Sequence, residues 1–291
     1  MSDYLILKTT ASASYELIDS GDGEKLERYG QIKVRRPDPQ ALWKKHVPKG
    51  DWDNADASYV RAVEKGSWST KPGLPAEWSI SLDAFTFFIK LSAFKHTGIF
   101  PEQFQNWKWI DEKVKKAGRK IKVLNLFGYT GGASIAAALA GAEVTHVDGS
   151  KSAVTWAHKN ATASGVSEDS VRWIVDDVRA FVKREIKRGE KYDAIIMDPP
   201  NFGRGAKGEV WKIENHFLTL LDSCKEILSE LPQFVLINGY AAGYSALGYE
   251  NALKGMMSSF KGNTEVGEVV LVESQSKRIL PSGIFARWFT M

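Results

Sequence analysis

The sequence predicts an α/β chain: a mostly parallel, seven-stranded sheet closed by a C-terminal antiparallel hairpin and preceded by a small β-rich domain. Three observations predict it. From about residue 105 short apolar runs alternate with amphipathic stretches of helical period, as a parallel sheet covered on both faces requires. Near the C-terminus two extended segments, 268–273 and 284–289, suit a terminal hairpin. Before residue 92 the pattern is one of short strands cut by Gly-Asp-Gly and Pro-Asp-Pro.

The elements follow in order. Strands are expected at 4–7, 15–18, 31–34 and 59–63. Trp78-Ser79-Ile80-Ser81-Leu82 alternates with period two, and after Asp83-Ala84 the run 85–91 completes a hairpin. A lysine-rich helix then leads into a strand at 121–126, a small-residue helix at 133–140 and a strand at 144–147. Next come a helix at 152–164, a strand at 171–175, a helix at 178–188 and a buried strand at 194–197. A helix at 213–228, a strand at 234–237 and a helix at 249–260 precede the hairpin. Domains are therefore expected at 1–92 and 93–291.

Composition narrows the class. With 291 residues, 43% hydrophobic and 25% charged, the chain can bury one large or two moderate cores. The single cysteine, Cys224, excludes a disulfide framework and a multi-cysteine metal site. No metal is expected, and the reducing setting points to the cytoplasm. The N-terminus offers neither a signal peptide nor a membrane span, so no membrane partner is expected. A homo-oligomer is compatible with the composition, which does not decide it. A net charge of +4 does not announce a nucleic-acid partner. Residues 25–49 do concentrate Lys25, Arg28, Lys33, Arg35, Arg36, Lys44, Lys45 and Lys49, a strip able to grip phosphates. The alternative is a solvated face beside Asp51, Asp53 and Asp56. Most of the tryptophans crowded into the first third are expected to pack rather than to stack on bases.

Chemistry concentrates at strand ends. Phe127-Gly128-Tyr129-Thr130-Gly131-Gly132 is a glycine loop between a strand and a helix, where absent Cβ atoms permit a tight turn and close approach to a ligand. About twenty residues on, the next strand ends at Asp148, followed by Gly149 and Ser150; a carboxylate there can accept both hydroxyls of a ribose. The loop lacks the Gly-x-Gly-x-x-Gly spacing of pyrophosphate binders, which favours a cofactor without that group. The third strand ends at Asp176-Asp177, where one carboxylate can receive an adenine amine, or Asp177 can simply cap the helix that follows. Asp198-Pro199-Pro200-Asn201-Phe202 ends the fourth strand. Its prolines fix the backbone so that the Asp198 carboxylate and the Pro199 carbonyl project together, able to hold an exocyclic amine in line with a sulfonium methyl.

With Lys95-His96-Thr97-Gly98-Ile99-Phe100-Pro101-Glu102-Gln103, Val123-Leu124-Asn125-Leu126 before the loop, and Val147-Asp148-Gly149-Ser150, these motifs resemble the class I ribosomal-RNA methyltransferases that act on large-subunit RNA. The resemblance covers roughly residues 78–291. It implies a Rossmann-like sheet, S-adenosyl-L-methionine as cofactor and an RNA substrate. It also implies cofactor contacts from Thr97, Phe100, Gln103, Phe127, Gly128, Tyr129, Thr130, Gly131, Asp148, Gly149, Ser150, Asp176 and Asp177. Catalytic roles fall to Asp198, Pro199, Pro200, Asn201 and Phe202. The first 75 residues depart from the family's usual RNA-binding module.

Two features narrow the reaction. Methylating carbon 5 of a pyrimidine needs a cysteine nucleophile, and Cys224 lies inside an expected helix. Asn201 also intervenes between the prolines and Phe202. A base nitrogen is therefore the expected acceptor, the alternatives being a small molecule or protein, or a nucleotide-binding module without catalysis. The glycine-rich basic stretch 203–212 is expected to be mobile and to close over the substrate, and 276–283 to face the same cleft.

Overall fold

The computed structural model describes residues 4–60, 66–92, 95–205, 208–240 and 243–290. The chain divides into two compact units, one of 8–104 and 270–282, the other of 1–7, 105–269 and 283–291. Residues 95–104, which the sequence reading places beyond the domain break, cluster with the β-rich unit.

β1 (Tyr4–Thr9) opens the chain. In the smaller unit β2 (Tyr15–Gly21), β3 (Glu24–Tyr29), β4 (Ile32–Pro37), β5 (Ala57–Val60) and β6 (Ser67–Thr70) form a five-stranded sheet in sequential order, with α1 (Lys49–Asp53) between β4 and β5. The rest of the strand expected at 59–63 lies outside the described residues. β7 (Trp78–Leu82) and β8 (Phe85–Ile89) make the expected hairpin, with Ile80 opposite Phe87.

Sequence pattern misses β3, because Glu-Lys-Leu-Glu-Arg-Tyr looks solvated, yet Lys25 and Glu27 are buried. Glu27 is buried because its charge is matched. It accepts hydrogen bonds from Tyr15 Oη and Tyr29 Oη, each at 2.9 Å, and from Arg36 Nε at 2.5 Å. Burial pushes its carboxyl up, but Arg36 and Lys25 outweigh that and hold it at about 2.

The basic strip is largely neutralised in the same way. Lys25 pairs with Asp38, Arg28 with Glu16, Arg35 and Lys45 with Glu24, and Lys44 with Asp22. The indole N–H groups of Trp43, Trp68 and Trp78 donate to backbone carbonyls of Ser20, Ser92 and Tyr29, and Trp52 donates to Asp19, as packing tryptophans do. Arg278 is spent likewise, on Asp19 at 2.6 Å and Glu273 at 2.8 Å. The run 276–283 thus supplies an ion-paired turn and the first residues of the last strand.

The larger unit contains α2 (Phe104–Lys116), β9 (Lys122–Leu126), α3 (Gly132–Leu139), β10 (Glu143–Asp148), α4 (Lys151–Ala163), β11 (Val171–Val175), α5 (Val178–Arg188) and β12 (Ala194–Met197). Then follow β13 (Phe202–Arg204), β14 (Val210–Lys212), α6 (Ile213–Glu226), β15 (Phe234–Gly239), α7 (Ala246–Met256), β16 (Asn263–Val272) and β17 (Ile279–Phe289). One sheet of eight strands runs in the order β1-β16-β17-β15-β12-β9-β10-β11. β15, β12, β9, β10 and β11 are parallel, and β17 is antiparallel to β15. The sheet has one strand more than expected, since β1 joins its β16 edge.

Central strands are buried along nearly their whole length, which is why they read as mainly apolar runs. Leu124, Leu126, Ile195, Met197, Val235 and Ile237 pack one sheet face onto Phe181, Leu220, Leu221 and Leu253 of α5, α6 and α7. The strand order reverses at β9, whose neighbours are β10 and β12, so a crevice opens at the carboxyl ends of these strands.

Candidate active site

Register brings the motif residues to one edge. Leu126 lies beside Val147 on one flank and Met197 on the other, so the glycine loop, Asp148 and Asp198 all leave the sheet at the same level. The Asp176 N–H donates to the Asp148 carbonyl at 3.0 Å, extending that edge to the third tip.

The loop is bent by two residues that are not glycines: Phe127 has φ 56° and Tyr129 φ 46°. Such backbone costs about 1–3 kcal/mol per residue and persists only when its surroundings impose it. They do so here. Gly128 N–H donates to the Val147 carbonyl at 3.1 Å, and Tyr129 N–H to Asp148 Oδ2 at 2.9 Å. The Phe127 ring packs on Trp211 with centroids 4.8 Å apart. Buried Asn160 on α4 donates to the Thr130 carbonyl at 3.0 Å. Gly131, at φ 90°, turns the chain into α3, and a Cβ on Gly132 would stand 2.9 Å from the Trp107 indole nitrogen.

Asp148 is the hub of the second tip. Its Oδ1 accepts the Ser150 N–H at 2.8 Å while Oδ2 holds Tyr129. Burial pushes its carboxyl up, and these two N–H groups pull it partly back. Ser150 caps α4, its hydroxyl accepting the Ala153 N–H at 3.3 Å. At Gly149 an added Cβ would lie 3.6 Å from Gly205 Cα, which brings the turn after β13 to this tip.

The third tip divides its labour. Asp177 caps α5, accepting the Arg179 and Ala180 N–H groups at 3.1 and 3.0 Å. Asp176 accepts the Asp177 N–H and an ion pair from Arg184. Of the two, Asp177 takes the capping role that the sequence left open.

At the fourth tip Pro199 is buried while Pro200, Asn201 and Phe202 are exposed. The Pro200 carbonyl accepts the Trp211 indole N–H at 2.6 Å, and the Asn201 carbonyl accepts the Ile213 N–H at 3.1 Å. These bonds tie the segment after Asp198 to a hairpin of β13 and β14, where the sequence suggested a mobile loop; residues 206 and 207 of that stretch lie outside the described residues. Gly203 and Trp211 pair across this hairpin, leaving Phe202, Arg204, Val210 and Lys212 exposed on its other face.

Tyr249 on α7 is a neighbour that sequence reading passed over. Its hydroxyl lies against Gly239, where a Cβ would stand 2.6 Å away, at the end of the strand beside Asp198. Burial, then the Asp198 carboxylate, pushes this phenol up to about 12, so it stays protonated as a donor. Trp211 and His146 were also missed; a lone tryptophan inside a polar glycine-rich stretch was the available signal for the first.

Thr97, Phe100 and Gln103 belong to the smaller unit. Thr97 and Gln103 are buried there, and the Gln103 N–H donates to the Phe100 carbonyl at 3.0 Å within a turn of 3₁₀ helix, Pro101–Gln103. Cys224 is fully buried on α6, where desolvation pushes its thiol far up, away from the reactive thiolate.

The larger unit fits an adenosine-type cofactor. Asp148, at the tip beside the glycine loop, spends one lone pair of each carboxylate oxygen on the Tyr129 and Ser150 N–H groups, which leaves acceptor capacity for hydroxyls.

Comparison with known proteins agrees. The sequence profile of S-adenosylmethionine-dependent methyltransferases matches residues 58–252. A crystal structure of a SAM-dependent methyltransferase from Agrobacterium tumefaciens is 42% identical, with TM-score 0.93 over 99% of this chain and 94% of that one. A Streptococcus mutans protein described as a SAM-dependent methyltransferase shares the fold, with TM-score 0.72 at 20% identity over 95% of this chain and 75% of that one. The ribosomal RNA large subunit methyltransferase K/L of Shewanella baltica is 32% identical over 154 residues, 52% of this chain but 21% of the relative. The chain thus spans about a fifth of the length of that curated relative. It belongs to the family of S-adenosylmethionine-dependent methyltransferases, and S-adenosylmethionine is its cofactor.

Proposed function

We propose that the protein transfers the methyl group of S-adenosylmethionine to a nitrogen of an RNA base in the cytoplasm. One observation carries the reading: the Asp198-Pro199-Pro200 tip leaves the sheet beside the glycine loop, at the reversal of strand order. The bound cofactor supplies a methyl group on a sulfonium, whose departure needs no acid. Asp198 and the Pro199 carbonyl accept the N–H groups of an exocyclic amine and so orient its lone pair, and Asp198 receives the proton that the nitrogen loses. Asp148 holds the ribose hydroxyls, and the glycine loop supports the rest of the cofactor. Catalysis is then mainly positioning.

Two further observations support an RNA base. The exposed face of the β13–β14 hairpin sets Phe202, 54% exposed, beside Arg204 and Lys212, an aromatic and two cations as unstacked bases and phosphates require. The Shewanella relative is named for ribosomal RNA. Burial of Cys224 supports nitrogen over carbon 5.

A second reading, a small-molecule or protein acceptor, is favoured by the ion-paired state of the 25–49 strip, whose cations are mostly committed to carboxylates. Labelled S-adenosylmethionine offered with RNA, protein and metabolite fractions from cells lacking this protein separates the two. Label in RNA, recovered as an N-methylated nucleoside, is expected. Label confined to protein or metabolites overturns the RNA reading.

A further inference from the structure

Gly128 is a glycine for an unusual reason. Its φ is not among the positive values of the loop, which fall on Phe127, Tyr129 and Gly131, so a left-handed φ is not what calls for a glycine here. What forbids a side chain is space, and the space is filled by one imidazole. A Cβ at 128 would stand 2.5 Å from His146 Nδ1 and 3.0 Å from Nε2. The ring lies on β10, two residues before Asp148, fully buried. It is fixed in place: Nδ1 is 3.0 Å from Ser134 Oγ on α3, and that hydroxyl accepts Asn125 Nδ2 of β9 at 2.8 Å. Trp173 packs against it with centroids 4.9 Å apart. Nε2 has no hydrogen-bond partner among the described residues, an uncompensated polar atom in a full core.

An apolar side chain would fill this volume without leaving a polar atom unsatisfied. The histidine instead links the strand before the loop, the helix after it and the strand that carries Asp148. We propose that His146 is a positioning residue for the cofactor: its imidazole, held by Ser134 and Asn125, is the floor on which Gly128 rests and so sets the left-handed turns at Phe127 and Tyr129. The inference concerns the cofactor alone and stands whatever the methyl acceptor proves to be.

The test is a double-variant cycle read by calorimetric affinity for S-adenosylhomocysteine, with the melting temperature of each variant measured alongside. Gly128→Ala drives a methyl into the imidazole and weakens binding by about tenfold or more, whereas Gly128→Ala with His146→Ala returns the affinity to within about threefold of His146→Ala alone. If the double variant binds as poorly as Gly128→Ala, the methyl obstructs the ligand itself and the proposal fails. Should the double variant not fold, the His146 ring nitrogens of the unaltered protein are followed by NMR during the same titration. Resonances that shift with saturation support the floor, and resonances that stay in place at saturation overturn it.

Discussion

The Asp148 carboxylate closes the glycine loop onto the neighbouring strand, Oδ2 accepting the Tyr129 N–H at 2.9 Å while Oδ1 accepts that of Ser150 at 2.8 Å. One carboxylate therefore stabilises a left-handed residue and orders the start of α4, and in the proposed site it also receives the ribose hydroxyls. Asp148→Asn sets an amide N–H₂ against one of these donors. Affinity for S-adenosylhomocysteine, measured by calorimetry, falls about tenfold or more. Unchanged affinity would remove Asp148 from the cofactor site.

His146 gives the protein an acid sensitivity. Burial lowers its imidazole from 6.5 to about 3, so below 6.5 the unfolded chain takes up a proton that the folded chain refuses. The stability it contributes is complete above 6.5 and is lost as pH falls towards 3. By about pH 5 the loss is about 2 kcal/mol. His96, lowered to about 4 by burial and then by Arg36, acts in the same direction, so the comparison is made on a variant. His146→Asn loses less stability between neutral pH and about pH 5 than the unaltered protein, as denaturant titration measures; parallel losses would mean that the buried imidazole takes up its proton in the fold.

Cys224 is fully buried and its thiol is pushed up by desolvation, and the proposed transfer to nitrogen makes no use of it. Cys224→Ala keeps methyl transfer within about twofold and costs roughly 1 kcal/mol of stability as a small cavity. Abolished turnover in a folded Cys224→Ala protein would restore a covalent route.

In the smaller unit Arg36 and Glu27 form a pair whose side chains are 5% and 0% exposed. Arg36→Met leaves the Glu27 carboxylate buried with the two tyrosine hydroxyls and Lys25, at 3.8 Å, as its remaining counter-charge among the described residues, and urea unfolding shows a loss of about 3–5 kcal/mol. Adding Glu27→Gln recovers part of it. A loss no larger than that of a surface pair would show that water reaches Glu27.

These residues also mark what sequence can carry. β12 is legible because a strand buried on both faces is apolar throughout, and Asp198 is legible because it interrupts that pattern at its end; β9 and β10 are legible from their valines and leucines and from the glycine loop and Asp148 that follow them. β3 is hidden for the converse reason: Lys25 and Glu27 are inside only because Asp38, Arg36 and two tyrosines, distant in sequence, neutralise them. The β13–β14 hairpin is hidden by its glycines, since Trp211 and the Pro200 carbonyl must meet before its order is apparent. His146 gives no signal in sequence. A lone histidine in an apolar strand reads as core, and its bearing on Gly128 exists only in the packed structure.

In the proposed reaction the Asp198 tip holds the methyl acceptor while the glycine loop and Asp148 hold the cofactor. The most direct measurement pairs S-adenosylhomocysteine calorimetry with transfer of labelled methyl to RNA from cells lacking the protein, for the unaltered chain and for Asp198→Ala. Affinities that agree within about threefold, with a loss of transfer of about a hundredfold or more in Asp198→Ala, are expected if Asp198 serves the acceptor alone. Transfer undiminished in Asp198→Ala, or transfer lost together with cofactor binding, would contradict it.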